Sequence, residues 1–108
     1  MNIENAKQQM KKGVIELCVL SIIKENEVYP TDIIKELYDA KIIVVEGTLY
    51  PLLTRLKNNG LLTYRWVESE SGPPRKYYRL TEVGETYFAG LLEAWHELTK
   101  IVNKATKK

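Results

Sequence analysis

Four leucines within eight residues constrain the fold of this chain more than any other feature. An α-helix advances about 100° per residue, so they form one stripe along a helix, and the opposite side is small or polar. The stripe is Leu49, Leu52, Leu53 and Leu56, and the opposite side is Gly47, Pro51, Thr54, Arg55 and Asn58. Thr48 is a candidate N-cap, and Gly60 is a candidate left-handed stop. The sequence therefore predicts a helix with one buried face and one solvent face.

Two further helices are predicted ahead of the leucine stripe. From Ile3 to about Lys24 the chain has no proline and a dense apolar set, which indicates one long helix. Pro30 suits a first helical turn, and apolar residues recur at helical spacing as far as Tyr38, which predicts a short second helix. The β-branched run 42–45 is consistent with either a short strand or an apolar connector.

A hairpin and a final helix are predicted after the stripe. Residues 62–68 and 75–80 alternate as strands do, and the turn residues 69–74 between them predict a loop too long for a two-residue turn. Thr81 is the predicted N-cap of a helix that runs to about Ala105. This order predicts a mainly α fold with a small β-wing, a winged helix-turn-helix. Residues 1–80 are its predicted DNA-binding domain, including the N-terminal helix, and residues 81–108 a C-terminal dimerisation helix.

The composition is that of one soluble globular module. The 108 residues are 44% hydrophobic and 28% charged, and this length suits one domain. No apolar run is long enough for a membrane span and the N-terminus lacks signal-peptide order, so the cytoplasm is the expected location and no membrane partner is expected. The single cysteine, Cys18, and the single histidine, His96, exclude an internal disulfide and a metal cluster within one chain. No cofactor is expected.

Known catalytic arrangements are missing from the sequence. It has no Ser/His/Asp set, no phosphate-binding glycine loop and no carboxylate pair at a spacing that suggests acid–base chemistry. Cys18 lies in an apolar stretch, where a small buried hydrophobe is the simpler interpretation than a redox sensor. We therefore expect a protein that is not an enzyme.

Positive charge is concentrated in the middle of the chain. Residues 48–79 contain six basic and two acidic residues, a net charge of +4, which leaves −2 for the rest of a chain whose total is +2. A local basic segment is the electrostatic footprint of a polyanion-binding surface. A solvated charged surface is the alternative.

The polar-faced helix is suited to the DNA major groove, with the hairpin beside it. On the helix, the candidate DNA-binding residues are Thr48, Tyr50, Pro51, Thr54, Arg55 and Lys57. On the hairpin they are Arg75 and Lys76, which suit phosphate contacts. Two alternatives stay open: Tyr50 could pack beside the leucines, and Arg55 could form a structural ion pair with a nearby acid.

Two motifs cover much of the chain. The first is Gly47-Thr48-Leu49-Tyr50-Pro51-Leu52-Leu53-x-Arg55-Leu56 with Gly60-Leu61-Leu62, and the second is Arg75-Lys76-Tyr77-Tyr78-Arg79-Leu80-Thr81-x-x-Gly84. Together they resemble the signature of the PadR family of bacterial transcriptional regulators. The resemblance implies a winged helix-turn-helix, a dimerising C-terminal helix and repression relieved by a small molecule. A single C-terminal helix resembles the short subfamily, which includes multidrug-sensing members.

One segment departs from the family pattern. The second helix commonly opens with Gly-Tyr-Glu or Gly-Tyr-Asp, whereas Pro30-Thr31-Asp32 stands at that place here. No DNA contact is therefore carried over for the family's tyrosine.

The last helix carries apolar residues at spacings of 3, 4, 3 and 4, which are typical of a seam between two packed helices. These residues are Phe88, Leu91, Trp95, Leu98 and Val102. A second apolar set, Val83, Tyr87, Leu92 and Ala94, is expected to face the chain's own domain. A helix that is apolar on two sides predicts a homodimer, with Leu17 also at the interface. Two-fold symmetry would place the two recognition helices about 34–36 Å apart, on a palindromic site.

Trp95 lies at the middle of that seam. A domain of this size cannot by itself enclose a drug-sized cavity of about 300–1,000 Å³, so a ligand pocket is expected between subunits. The resemblance to multidrug-sensing members implies that Trp95, in the Trp-x-x-x-x-Lys segment that ends at Lys100, stacks with its symmetry mate on planar aromatic compounds. Thr99 stands where those members have an acid. Plain interface packing of Trp95 is the alternative.

A function of another class also fits the predicted fold. A winged helix can serve as a module for protein–protein assembly, in which case the basic segment would only be solvated. Duplex binding that falls steeply with salt would distinguish the regulator from this module.

Overall fold

The computed structural model describes residues 1–107, so Lys108, the last residue of the predicted dimerisation segment, lies outside the described residues. The helices are α1 (Ile3–Lys12), α2 (Ile15–Glu25), α3 (Pro30–Asp39), α4 (Glu46–Asn58) and α5 (Glu82–Thr106), and the strands are β1 (Leu62–Ser69) and β2 (Gly72–Leu80). The predicted mainly α fold with a β-wing is confirmed.

The prediction of one long N-terminal helix is wrong, because the chain breaks between α1 and α2. The amides of Gly13 and Val14 donate to carbonyls three residues back, at 3.3 and 3.0 Å, and not four. Val14 leaves the helical region, with φ −116° and ψ 3°. No residue of α1 is buried, whereas α2 buries Val19, Leu20 and Ile23. The break thus lets α2 enter the core while α1 lies outside it.

Helix α3 begins at Pro30 as predicted, and the Asp32 carboxylate accepts a hydrogen bond from the Tyr29 amide at 3.4 Å. The helix ends at Asp39, and Lys41, two residues farther on, has a left-handed conformation with φ 71°. Residues 42–45 then form the connector and not the strand, and Val44 is buried within it.

Helix α4 contains the leucine stripe. Leu49, Leu53 and Leu56 are fully buried, and Leu52 is partly buried. Thr48 is inside the helix and Val45 is the N-cap, so the predicted Thr48 cap is wrong. The predicted left-handed stop of α4 at Gly60 is confirmed.

The end of α4 has the hydrogen bonds of a glycine stop. Gly60 has φ 80°, the Leu61 amide donates to the Leu56 carbonyl at 3.0 Å, and the Gly60 amide donates to the Lys57 carbonyl at 3.0 Å.

The wing is an antiparallel hairpin in which Tyr64 pairs with Tyr78. The predicted long loop is wrong: Ser69 pairs with Gly72, and only Glu70 and Ser71 form the turn. Residues 73 and 74 are prolines that resemble loop residues in the sequence, but they lie in β2 at an irregularity of the ladder, where a missing N–H is tolerated. On the other side of β2, Val28 exchanges backbone hydrogen bonds with Tyr78 at 2.7 and 3.2 Å.

The core lies between α2, α3, α4, the wing and the first half of α5. Phe88 is 6% exposed and belongs to this core, which corrects its predicted place in an intermolecular seam. The predicted inward set is wrong for Val83, which is 63% exposed, whereas Ala94 is exposed but lines a cleft between α5 and the α1–α2 region. The inward face of α5 is set by its contacts with α2 and β2, and it includes Phe88 with Leu91 and Leu92 beside it.

Beyond Leu92, helix α5 has no buried residue as far as its end at Thr106. The molecule is correspondingly elongated, with extents of 57 × 33 × 21 Å. Over residues 1–107, no helix combines the length and the hydrophobicity needed to cross a membrane.

Candidate nucleic-acid interface

The outer face of α4 is open to solvent because the leucine stripe turns the opposite face inward. Its exposed residues include Tyr50, Pro51, Thr54, Lys57 and Asn58. Tyr50 is 43% exposed, so packing beside the leucines covers only part of its side chain. The helix packs chiefly against α3 and β1, which leaves this face unobstructed within the chain.

Two of the predicted DNA-binding residues, Thr48 and Arg55, lie at the edge of that face and line a separate cleft. The cleft has a volume of about 660 Å³ and is bounded by the α1–α2 region, the connector 42–45, α4 and α5. Leu52 of α4 and Trp95 of α5 contribute apolar walls. Thr48 is thus placed differently from Tyr50 and Thr54, whereas Arg55, with 56% of its side chain exposed, lines both the cleft and the outer face of α4.

Arg55 is held by an acid of another helix. Its Nη2 atom donates to Glu16 Oε1 at 2.6 Å, and the hydroxyl of Tyr87 donates to Glu16 Oε2 at 2.6 Å. The ion pair weighed as an alternative for Arg55 is therefore present. Glu16 joins three helices, α2, α4 and α5.

The surroundings of Glu16 favour its ionised form. Partial burial raises the pKa of its carboxyl, but the hydrogen bonds from Tyr87 and Arg55 and the charge of Arg55 outweigh burial and hold that pKa below its ordinary value. The pKa of Tyr87 is raised, chiefly because its hydroxyl donates to Glu16. The lowered pKa of Glu16 and the raised pKa of Tyr87 are both expected for a protonated phenol that donates to a carboxylate.

The wing face beside α4 combines aromatic rings with lysines. Lys76 Nζ lies 4.5 Å from the centre of the Tyr64 ring and 5.3 Å from the Trp66 ring. Lys57 Nζ of α4 lies 6.0 Å from the same Tyr64 ring. Trp66 is 61% exposed. A basic and aromatic surface therefore continues from α4 onto the wing, where Trp66 is exposed and Tyr64 and Lys76 are partly buried, and we call these three residues the wing cluster.

Tyr64 and Trp66 are functional candidates that were not predicted from the sequence. The signal was available in the alternation of residues 62–68, which puts them on one face of β1. Lys76 pairs with Trp66 across the ladder and so lies on the same face. Without the register, the partner of each residue could not be assigned.

On the other face of the wing, Arg65 and Arg75 have different partners. Arg65 is bidentate to Glu27, with Nε at 2.9 Å from Oε2 and Nη2 at 2.6 Å from Oε1. Hydrogen bonding from Arg65 lowers the pKa of the Glu27 carboxyl and outweighs desolvation, which raises it. The guanidinium of Arg75 instead lies 4.7 Å from the Tyr29 ring centre and donates to the Tyr29 hydroxyl at 2.9 Å. Within residues 1–107, neither Arg75 nor Lys76 forms an ion pair, so both charges are available to a partner.

The remaining predicted seam residues face the cleft or solvent. Leu17, Leu91, Trp95 and Leu98 line the cleft, and Val102 is 46% exposed farther along α5. Trp95 is 40% exposed, and Leu98 is 49% exposed. The structure thus brings Leu17 of α2 together with three of the five predicted α5 seam residues.

The described part of the chain has no group of three or more His, Cys, Asp or Glu side chains that could hold a metal ion. Burial raises the pKa of the Cys18 thiol, which keeps it protonated and of low nucleophilicity.

Comparison with known proteins places this architecture in a family. The family of PadR-like transcriptional regulators matches residues 19–90. A PadR-like transcription factor from Bacteroides fragilis is 53% identical, with a TM-score of 0.78 over 94% of this chain and 99% of that chain. A PadR family transcriptional regulator from Eggerthella lenta is 33% identical, with a TM-score of 0.90 over 98% of this chain and 93% of that chain.

A sequence relative agrees with these structures. A transcriptional regulator of Mycobacterium tuberculosis is 32% identical over 97 residues, which cover 88% of each protein. PadR family regulators bind DNA and are not enzymes. The polar-faced helix, the basic wing and these likenesses together establish that the chain belongs to the PadR-like family of transcriptional regulators.

Proposed function

We propose that this chain is a ligand-responsive repressor that binds palindromic operator DNA as a homodimer. The observation that carries the proposal is the basic and aromatic surface that continues from the exposed outer face of α4 onto the wing cluster. One α-helix fits the roughly 12 Å major groove, and a flanking hairpin reaches neighbouring phosphates. The proposed contacts are Tyr50, Pro51, Thr54 and Lys57 on α4 and Arg75 and Lys76 on the wing.

We propose two changes from the contact set predicted from the sequence. Thr48 and Arg55 are left out, because both line the cleft and Arg55 is bound to Glu16. Trp66 is added, because its exposed ring beside Lys76 offers an apolar surface to sugars or bases in a groove.

The homodimer is supported by apolar residues that the chain does not cover. Trp95, Leu98 and Val102 lie on the exposed half of α5 at spacings of three and four, which suits packing against a second helix. Helix α1 has no buried residue either, although Ile3 and Met10 are apolar. We assign DNA binding to residues 1–80 and dimerisation to residues 81–108.

The proposed effector is a planar aromatic small molecule. The cleft volume of about 660 Å³ lies within the usual range for small-molecule sites. Its walls include Ile15, Leu52 and Trp95, and an indole face offers a large stacking area. The second subunit would close the open side of the cleft.

The DNA proposal is tested by selecting bound duplexes from a random pool and then measuring affinity over a range of salt concentrations. Palindromic sites are expected, with half-site centres about 10 base pairs apart or a multiple of that. Replacing both Arg75→Ala and Lys76→Ala is expected to reduce the slope of log affinity against log salt by about 2, since each phosphate contact contributes about 0.9.

The matched control removes the same charge at the far end of α5, with Lys104→Ala and Lys107→Ala, and should leave the slope unchanged. Thr54→Ala should instead change the selected sequence. Absence of duplex binding by the wild-type protein at low salt contradicts the proposal and favours a protein–protein module.

The effector is tested with a planar dye and tryptophan fluorescence. Quenching is expected in the wild type and in Trp66→Phe, and its loss is expected in Trp95→Ala. Equal quenching in Trp95→Ala would place the dye elsewhere.

A further inference from the structure

The carboxylate of Glu16 is placed between the DNA-facing helix and the C-terminal helix. Its side chain is 23% exposed, and its two oxygens accept hydrogen bonds from different elements, Arg55 of α4 and Tyr87 of α5, both at 2.6 Å. Hydrogen bonds to a charged group are shorter and about twice as strong as those between neutral groups. Glu16 therefore connects two helices that do not pack extensively on each other.

A second connection between α4 and α5 lies at the C-terminal end of α4. The Thr81 hydroxyl donates to the Gly60 carbonyl at 2.6 Å, and the Thr81 amide donates to the Leu61 carbonyl at 3.0 Å. Gly84 lies so close to Leu61 that a Cβ atom there would overlap the Leu61 carbonyl. This end of α4 is thus fixed to the start of α5.

The buried leucines pack α4 against its own domain, and its C-terminal end is fixed to α5, but neither connects the exposed side of α4 to α5. Arg55 precedes Gly60 by five residues, which is about 7.5 Å along the helix axis. A second attachment at Arg55 restricts rotation of α4 about its fixed end. The exposed face of α4 enters the DNA groove in the proposed function, so this direction decides whether Tyr50 and Thr54 reach the bases.

We infer that Glu16 is a positioning residue for DNA binding, which holds Arg55 and Tyr87 together so that α4 keeps one direction relative to α5. Arg55 then acts through Glu16 and does not contact DNA. The inference rests on the proposed DNA-binding function.

The test is a double-mutant cycle on the affinity for a selected operator. Glu16→Gln and Arg55→Gln are each expected to weaken binding about tenfold, and the double variant no more than either single one. Tyr87→Phe removes only the α5 contact and should weaken binding by a smaller factor. The slope of log affinity against log salt should stay unchanged in all of them, because no phosphate contact is lost.

The matched control is Glu93→Gln, which removes the same charge from an exposed position of α5 and should bind like the wild type. Circular dichroism confirms that each variant is folded at the assay temperature, and Tyr87→Phe provides a milder variant if Glu16→Gln is not.

Three results would overturn the inference. Unchanged affinity with reduced thermal stability would make Glu16 merely structural. Additive losses, with a salt slope reduced by about 1 in Arg55→Gln alone, would make Arg55 a DNA contact. Absence of duplex binding by the wild type would overturn the proposed function and this inference with it.

Discussion

Gly84 is a residue whose missing side chain allows two elements to meet. A Cβ atom at this position would overlap the Leu61 carbonyl oxygen and lie 3.0 Å from its carbonyl carbon. Both atoms are backbone, so neither can move aside as a flexible side chain would. We expect Gly84→Ala to lower the free energy of unfolding by about 2–4 kcal/mol, measured by urea titration at one protein concentration.

The control for this substitution lies in the same helix. Gly90 is exposed, and a Cβ atom there would meet nothing within 4 Å. Gly90→Ala should raise the free energy of unfolding by about 0.5–1 kcal/mol, because alanine favours helix. Similar losses in the two variants would refute the close approach at Gly84.

The Glu16 carboxylate predicts a dependence of stability on pH. Burial raises its pKa, but hydrogen bonds from Tyr87 and Arg55 outweigh burial and lower it in the folded state. Stability from a lowered carboxyl pKa is complete above the ordinary value and is lost as pH falls through the lowered one. Between about pH 6 and about pH 3, the wild type should lose more unfolding free energy than Glu16→Gln. Parallel losses would contradict this assignment.

At the scale of elements, the end of α3 is built on an unusual backbone conformation. Lys41 has φ 71°, and the next amide, that of Ile42, donates to the Leu37 carbonyl at 2.8 Å. Glycine adopts this conformation without steric cost, whereas lysine does not. The Lys41 carbonyl also accepts from Lys11 Nζ at 3.1 Å, a contact that a substitution at the side chain preserves.

We therefore expect Lys41→Gly to raise the free energy of unfolding by about 0.5–1 kcal/mol in urea titrations. Lys35→Gly is the comparison, because Lys35 is exposed inside α3 and its replacement should lower stability by about 1 kcal/mol. A loss of stability in both variants would contradict the strain assigned to Lys41.

Two helix limits that depend on local chemistry were predictable from the sequence, although the N-cap of α4, at Val45, was not. Gly60 ends α4 and Thr81 caps α5, because each acts on backbone groups only a few residues away. The break between α1 and α2 was not predictable, because Gly13 itself has a helical φ of −69° and the chain leaves the helical region only at Val14. The two-residue turn was hidden because Pro73 and Pro74 resemble loop residues.

The candidate site likewise has a part that depends on local sequence and a part that depends on contacts between distant residues. The exposed face of α4 could be predicted from helical periodicity, as for Thr54. The link from Arg55 to Glu16 spans 39 residues of sequence, and spacing along the chain carries no information about such a contact. The wing cluster also depended on the register of the hairpin.

At the scale of the whole molecule, the exposed half of α5 predicts a dimer. Leu98 is 49% exposed and lies beside Trp95 on the cleft wall. Leu98→Glu would place a charge in the proposed interface, where it would be desolvated without a partner. We expect sedimentation velocity at about 10 μM to give a dimer for the wild type and a monomer for this variant.

Ala89→Glu is the control for dimerisation. Ala89 is exposed on the opposite side of α5, so the same charge there should leave the dimer intact. A wild-type protein that sediments as a monomer would rule out the proposed assembly.

The attachment at Gly84 gives the long helix the properties of a lever. From Gly84 to Val102 the helix extends about 27 Å, so a tilt of about 5° at its base moves the far end by about 2 Å. In the proposed dimer, movements between the far ends of the two α5 helices would therefore produce only small rotations at their bases. A molecule wedged between two copies would have to displace them by several ångströms to turn each α4 noticeably on its DNA.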